Sequence, residues 1–451
     1  MAVDFSARPG AVVVDAIDAF VPAHYGQPGV EQRALEEGRA IVDLSSLGVV
    51  EVVGPHPTRW LTTLSSQVIP EHAEFIAEDV SVGGRGGSGV DAVDDIRIPE
   101  AVLRPGTEVL LLDFSGRLDF AFAVIPAGRT DTGETGRVLL IVDSAEEAAR
   151  LSAFLETRIF LADIKVADVS DGCGVLGAVW PAGGDPLSFK ALYNSAVQER
   201  ALVGTWVDPW PGVVEGGTRY SFMGDEDKHP GSEFSRGLVV VYDDAVEGVG
   251  ARALGLMDDV LDVASGVDAG QARWAGMSAW EANRVASGRP RKITEVDEKT
   301  LPHELDWLRT AVHLRKGCYC GQETVAKIIN MGKPPRRLTW LMFDGAELPE
   351  VGAVVSLDEG GQSAVGRVTS AVRHVDEGVM ALAVLRRNVD VAVPLWVAGL
   401  EVPGIQRILV DPVGRSADSP KERPGAGLRK SLLTGRSKFK CGAQDIDEDE
   451  D

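Results

Sequence analysis

The chain has 451 residues, enough at roughly 100–200 residues per domain for two to four domains. Hydrophobic residues make up 44% and charged residues 25%, a globular balance that excludes a mainly disordered chain. With 68 Asp and Glu against 45 Lys and Arg the formal charge is −23, which argues against a body that grips nucleic-acid phosphates directly.

Residues 1–40 read as an N-terminal extension. From Ile41 through residue 334 strand-like and helix-like segments alternate, which predicts mixed α/β layers. His56 to Val68 reads as a helix, with Pro57 in the first turn and Trp60, Leu61, Leu64 and Val68 on one face. Glu108 to Ile125 reads as a hairpin turning at Ser115-Gly116. Along its second strand Leu118, Phe120, Phe122 and Val124 share one face, which leaves the Asp119 carboxylate with Ala121 and Ala123 on the other, among small residues with room beside them.

Ser144 and Glu147 form an S-x-x-E capping box that opens a helix through Leu151 and Leu155. The strand Ile164 to Val169 follows. A second strand–helix–strand set runs through GVLGAV, a polar excursion from Pro181 to Pro230, the strand Leu238 to Tyr242 and the helix Ala251 to Val263, so two α/β units in series are expected. Trp280 to Val285 reads as a helix stopped by Gly288-Arg289-Pro290. From 335 to 412 five or so short β runs separated by Gly, Pro and Asp predict a small C-terminal β-barrel. Residues 413–451 read as a disordered charged tail: eight Lys or Arg stand against two acids over 415–440, and DIDEDED ends the chain. GGRGGSG (Gly83–Gly89) reads as a loop, because it lacks the GK[ST] ending of a phosphate cradle.

Four cysteines, Cys173, Cys318, Cys320 and Cys441, are too few for a disulfide framework and show no C-x-x-C spacing, so a reducing compartment fits. No run approaches the roughly 18 apolar residues of a spanning helix and the N-terminal stretch lacks a leader pattern, so no membrane contact and a cytoplasmic location are expected. The seven histidines form no ligand spacing, and no dedicated metal site is expected. GxSxG and a Rossmann GxGxxG are absent as well.

The densest stretch is Arg315-Lys316-Gly317-Cys318-Tyr319-Cys320-Gly321-Gln322-Glu323. Positive charge beside Cys318 favours thiolate, which makes it either a reactive group or, as free cysteines often are, an inert core residue. Arg284 lies three residues after Glu281 on its helix, and either pairs with it locally or holds a carboxylate or polar ring of a ligand.

Lys316, Gly317, Cys318, Tyr319, Gly321, Gln322 and Glu323 match the K-G-C-Y-x-G-Q-E signature of the YgfZ branch of the glycine-cleavage T-protein (GcvT)-like family, with Cys320 in the variable place. Val42-Asp43-Leu44-Ser45 before VVEVVGP, Phe114 to Asp119, and WEANRVASGRP resemble further family segments. The resemblance implies an α+β fold, a three-domain ring of two α/β (ferredoxin-like) subdomains and a β-barrel around a tetrahydrofolate site. It implies support for assembly or repair of iron–sulfur proteins, with iron–sulfur client or assembly proteins as partners and an indirect effect on tRNA modification. Residue by residue, Asp119 falls on the carboxylate that contacts folate and assists aminomethyl chemistry, Arg284 on the folate-side arginine, and Cys318 on the reactive cysteine. The family's G-E-x-G-[FY]-E segment has no clear counterpart, the nearest stretch being HPGSEFSRGLVVV with Glu233. A tetrahydrofolate-dependent aminomethyltransferase is the alternative activity.

Overall fold

The computed structural model describes residues 8–14, 18, 21–70, 98–129, 136–220, 229–265, 271–345 and 347–420. Gly83–Gly89, Cys441 and the tail beyond 420 lie outside them. In chain order the elements are α1 (Pro28–Glu36), β1 (Ala40–Asp43), β2 (Gly48–Gly54), α2 (Pro57–Leu64), β3 (Thr107–Leu112), β4 (Leu118–Arg129), β5 (Gly136–Val142), α3 (Ala145–Glu156) and β6 (Lys165–Asp168). There follow β7 (Cys173–Pro181), α4 (Leu187–Gln198), β8 (Leu202–Val207), β9 (Phe234–Tyr242), α5 (Val246–Ser265), β10 (Arg273–Ala275), α6 (Met277–Ala286), the single turn α7 (Lys292–Glu295) and α8 (Gln322–Met331). The last strands are β11 (Arg336–Phe343), β12 (Val354–Ser356), β13 (Ala364–His374), β14 (Gly378–Arg386), β15 (Trp396–Val397) and β16 (Ile405–Ile408). The class is α+β, as expected.

One five-stranded sheet has the order β3-β4-β5-β2-β6 and another β10-β1-β7-β9-β8. The hairpin forms where expected, with Gly116 at φ +76° in the turn and Phe120, Phe122 and Val124 buried with Leu151 and Leu155 of α3, but Leu118 does not share their face: the register shifts between Leu118 and Phe120, and Leu118 joins the core that Ala121 packs against. Ser144 Oγ accepts from the Glu147 amide at 3.2 Å and so caps α3, while the Glu147 carboxylate pairs with Arg150 and Lys292 instead of closing the box.

Three elements differ from expectation. The helix at 57 stops at Leu64, where Ser65 turns extended, and Val68 is exposed. The polar excursion holds α4 and β8: Phe189, Ala191, Leu192, Tyr193 and Ala196 are all buried, an apolar face interleaved with Ser, Lys and Asn and framed by Pro and Gly. The two α/β units are not simply serial either. Strand β1 precedes the first unit in sequence but pairs antiparallel with β7 and parallel with β10, so it belongs to the second unit's sheet.

Beyond Pro334, β11 to β16 form an antiparallel sheet of order β15-β12-β13-β14-β11-β16. Its two edges meet through the Leu395–Gly404 bridge, whose amides donate to each other's carbonyls at 2.9 and 2.7 Å, which closes the sheet as a small barrel. Leu338, Trp340 and Leu382 of the barrel share one core with Leu110 and Leu118 of the hairpin and Val325 of α8. Among the described residues no helix is long and apolar enough to cross a membrane.

Candidate functional site

The inner faces of the two five-stranded sheets pack through Ala123, Ile125, Leu139, Val203, Trp206 and Leu238. At one end of this interface they part around a cavity of about 120 Å³. Small residues on β4 make the space: Ala121 and Ala123 line it, with Ile141 of β5 beside them, Trp206 and Arg236 on the opposing sheet, and Trp280 of α6. Asp119 is the extra residue of a bulge at the start of β4, where Leu112 pairs with Leu118 and Leu111 with Phe120; it is half-buried and stands outside the lining. Partial burial and the neighbouring Asp113 carboxylate raise its proton affinity, against the pull of Arg150 and Lys292.

The segment 289–292, just after α6, brings Arg289, Arg291 and Lys292 to the same cavity, where Glu108, Asp143 and Asp208 face them. Each of these three cations is held by carboxylates. Arg289 Nη2 bonds Glu108 at 2.6 Å and its Nε bonds Asp208 at 3.0 Å, Arg291 bonds Asp18 at 2.9 Å, and Lys292 bonds Glu147 at 2.6 Å. Glu108 is fully committed, since it also accepts from Trp307 Nε1 at 3.1 Å and Thr310 Oγ1 at 2.8 Å.

Arg284 reaches the lining but is 2% exposed. It bonds Glu281 at 2.8 Å, Glu295 at 3.2 Å, the Arg289 carbonyl at 2.6 Å and Ser370 Oγ of the barrel at 2.6 Å. Burial works against its charge, and the Glu281 and Glu295 carboxylates more than offset that, so its proton is held more firmly than usual. Local pairing with Glu281 thus extends into a buried clamp between α6, α7 and the barrel.

Arg236 is the contrasting case. It is 6% exposed and its guanidinium meets only neutral acceptors, Asn283 Oδ1 at 3.0 and 2.7 Å and Ser287 Oγ at 3.3 Å, with the Trp280 ring 5.4 Å away. Burial lowers its affinity for the proton to about 9, despite the more distant Asp208. Glu233 is exposed on the loop three residues earlier and does not line the cavity.

The cysteine loop packs against the β3–β4 turn. A Cβ on Gly321, itself at φ +78°, would sit 2.7 Å from the Asp113 carbonyl and 2.8 Å from Gly116 Cα, so only glycine permits that approach. Lys316 Nζ donates to the carbonyls of Thr62, Ser65 and Gln67, which pins the loop to the end of α2, and Gln322 Nε2 donates to the Lys316 carbonyl at 3.3 Å. The Lys316 ammonium is therefore committed to backbone. Tyr319 packs against the core shared with the barrel, Cys318 is exposed, and Cys320 is half-buried. Burial and the carboxylates of Asp113 and Asp119 raise the Cys320 thiol. Gly317 and Glu323 are exposed. Among the described residues no group of three or more His, Cys, Asp or Glu is arranged to hold a metal ion.

The structure thus brings Asp119 and the loop 316–323 together at the hairpin and puts Arg284 in a structural clamp beside the cavity. Sequence reading missed Arg236, Arg289, Trp206 and Glu108 as cavity residues. The RPRK run after α6 carried a signal, a dense basic cluster in an acidic chain, whereas Arg236 in a strand of Val and Leu carried none beyond its own incongruity.

No family model matches the chain. It is 29% identical over 112 residues to an uncharacterized protein of Haemophilus influenzae, a match covering 24% of this chain and 39% of that protein. Over 95 residues, 21% of each, it is 33% identical to a chloroplastic protein of Arabidopsis thaliana provisionally named a transferase. The chain thus spans well under half the length of these curated relatives in the matched segments. The fold is that of the glycine cleavage system aminomethyltransferase T from Bartonella henselae, with a TM-score of 0.57 at 15% identity over 90% of this chain and 94% of that one.

Proposed function

We propose that this chain is a folate-binding protein of the YgfZ type, which holds a reduced folate in the central cavity and supports assembly or repair of iron–sulfur proteins through Cys318. The observation that carries the folate reading is the cavity between the two sheets, walled by Trp206, Trp280 and Trp307 and lined by arginines, in a chain with the aminomethyltransferase T fold. The residues present fit such a ligand. The Glu108 oxygens are taken, while a buried Arg289 Nη1 lacks a partner, so the wall offers donors to an acceptor-bearing ring held between tryptophans. Tetrahydrofolate would supply a nitrogen that carries one-carbon units; the protein's part is to bind the ring, exclude water and present Asp119 beside the cavity.

The resemblance of Lys316 to Glu323 to the branch signature supports the maturation role, as does the exposure of Cys318 on a loop pinned by Lys316, where a partner protein reaches it. Its clients are then iron–sulfur or assembly proteins in the cytoplasm, and any effect on tRNA modification is indirect, consistent with the acidic composition. Cys318→Ser tests it: iron–sulfur enzyme activity in cells is expected to fall to the level of the deletion strain while tetrahydrofolate affinity stays within two-fold, whereas full activity of the variant refutes the role.

A second reading, a tetrahydrofolate-dependent aminomethyltransferase, is favoured by Asp119. A carboxylate with raised proton affinity, two residues before the cavity-lining Ala121, is suited to orient or exchange a proton with a reacting nitrogen. Glycine-cleavage turnover with the lipoyl carrier protein, lost in Asp119→Asn, establishes this reading, and binding without turnover dismisses it.

A further inference from the structure

We infer that Cys318 and Cys320 act together as a thiol–disulfide exchange pair, in which Cys318 attacks an external disulfide and Cys320 resolves the product into an internal Cys318–Cys320 disulfide. The inference gives Cys320, at the variable place of the branch signature, a role of its own, and it depends neither on folate binding nor on an iron–sulfur client. Its basis is the geometry of the loop. The Gln322 amide donates to the Tyr319 carbonyl at 3.3 Å, and Gly321 takes φ +78° and ψ −4°, so residues 319–322 form a turn whose third place requires a positive φ. Cys320 holds the second place of that turn, and Cys318 precedes it. Gln322 Nε2 also donates to the Lys316 carbonyl at 3.3 Å, and Lys316 Nζ is bound to backbone carbonyls at the end of α2, so the loop is strapped at both ends with the two thiols between the straps. Both cysteines are free, Cys318 exposed and Cys320 half-buried.

Cα atoms two residues apart lie within about 7 Å on any backbone, and a disulfide spans roughly 4.4–6.8 Å between Cα atoms, so a small adjustment of the loop joins the two sulfurs. Exposure sets the order of attack. Cys318 is open to solvent, and a Cβ on the adjacent Gly317 would meet nothing within 4 Å, so an incoming disulfide has clear space. Burial and the carboxylates of Asp113 and Asp119 raise the Cys320 thiol, against the pull of Arg158, so Cys320 is the slower attacker on a free disulfide and gains its advantage only when the target is tethered two residues away. In the first step the Cys318 thiolate attacks one sulfur of the external disulfide; a mixed disulfide forms at Cys318, the external sulfur–sulfur bond breaks, and the first thiolate leaves. In the second, Cys320 gives its proton to solvent and attacks the Cys318 sulfur; the Cys318–Cys320 bond forms and the second thiolate leaves. The pair has then lost two electrons and two protons, and the external disulfide has been reduced to two thiols. A disulfide closed across so short a loop at the surface belongs to the strained, accessible class that thiols reduce readily, which returns the pair to its dithiol form.

The test treats the reduced full chain, as wild type, Cys318→Ser and Cys320→Ser, with glutathione disulfide at neutral pH, quenches with acid and N-ethylmaleimide, and reads the products by peptide mass spectrometry. Trypsin cuts after Lys316 and Lys327, so the peptide Gly317–Lys327 carries both thiols and neither Cys173 nor Cys441. In wild type that peptide is expected to end as the internal disulfide, with the glutathione adduct only transient. Cys320→Ser is expected to hold the adduct at Cys318 at a level about ten-fold above wild type, because the tethered second attack is gone, and Cys318→Ser to react about ten-fold more slowly than wild type. An adduct that persists equally in wild type and Cys320→Ser overturns the inference, as does a peptide that glutathione disulfide leaves unmodified, or a Cys318→Ser variant that reacts as fast as wild type. Cys320→Ala repeats the comparison if Cys320→Ser does not fold. The readout needs neither folate nor a client, so its failure leaves the outcome of Cys318→Ser in cells standing, and failure of the maturation role leaves this result standing.

Discussion

Arg284→Met is expected to destabilise the fold more than it alters any ligand. The arginine joins α6 to α7 and the barrel through Glu281, Glu295 and Ser370. Without it Glu281 keeps Arg291 at 3.4 Å, but Glu295, 0% exposed, retains only neutral donors: the Arg291 amide, Thr294 Oγ1 and Ser370 Oγ. Removing one partner of a buried pair typically costs about 3–5 kcal/mol, because the other charge stays buried. At roughly 2–4 °C per kcal/mol for a unit of 150–250 residues, the melting temperature should fall by about 6–20 °C. The origin of the loss is testable by adding Glu295→Gln. In wild type that change breaks the clamp and destabilises, whereas in Arg284→Met it removes an orphaned charge and should restore stability. Thermal and urea denaturation of the four proteins read both effects. A loss below about 1 kcal/mol for Arg284→Met, or the same sign for Glu295→Gln in both backgrounds, refutes the reasoning.

Two further outcomes follow from the site's charges. Glu281 is held down to about 2, burial being outweighed by Arg284 and Arg291, so its stabilising contribution is complete above about pH 4.5 and is lost as pH falls toward 2; melting temperature should drop through that window, and Glu281→Gln should flatten the drop. Because Cys318 is exposed while burial and two carboxylates raise the half-buried Cys320, limited iodoacetamide at neutral pH should, among the three described cysteines, modify Cys318 first, with Cys320 slower and the buried Cys173 slowest, as peptide mass spectrometry will show. Faster labelling of Cys320 contradicts the placement of the loop.

Much of the fold was legible because local pattern and tertiary packing agree. The Phe120–Phe122–Val124 alternation, the Ser144 cap and the Gly288 stop each specify local geometry that the surrounding structure keeps. Helix α4 escaped because its buried face is interleaved with polar residues and set between Pro and Gly, and strand β1 because its partners lie more than 130 and 230 residues away, beyond any local signal. At the site, Asp119 and the 316–323 loop were readable from spacing and motif. The cavity was not, since it arises where two sheets part. Arg284 shows the limit of a motif position: the same residue type at the same place acts here as a buried tie between α6, α7 and the barrel.

The central claim is that a reduced folate occupies the space made by the alanines of β4. Calorimetric titration with tetrahydrofolate tests it most directly when wild type is compared with Ala121→Leu, which fills that space from the cavity wall. The account predicts saturable one-to-one binding to wild type and its loss in a folded Ala121→Leu. Absence of binding to wild type, or binding that Ala121→Leu leaves unchanged, would contradict it.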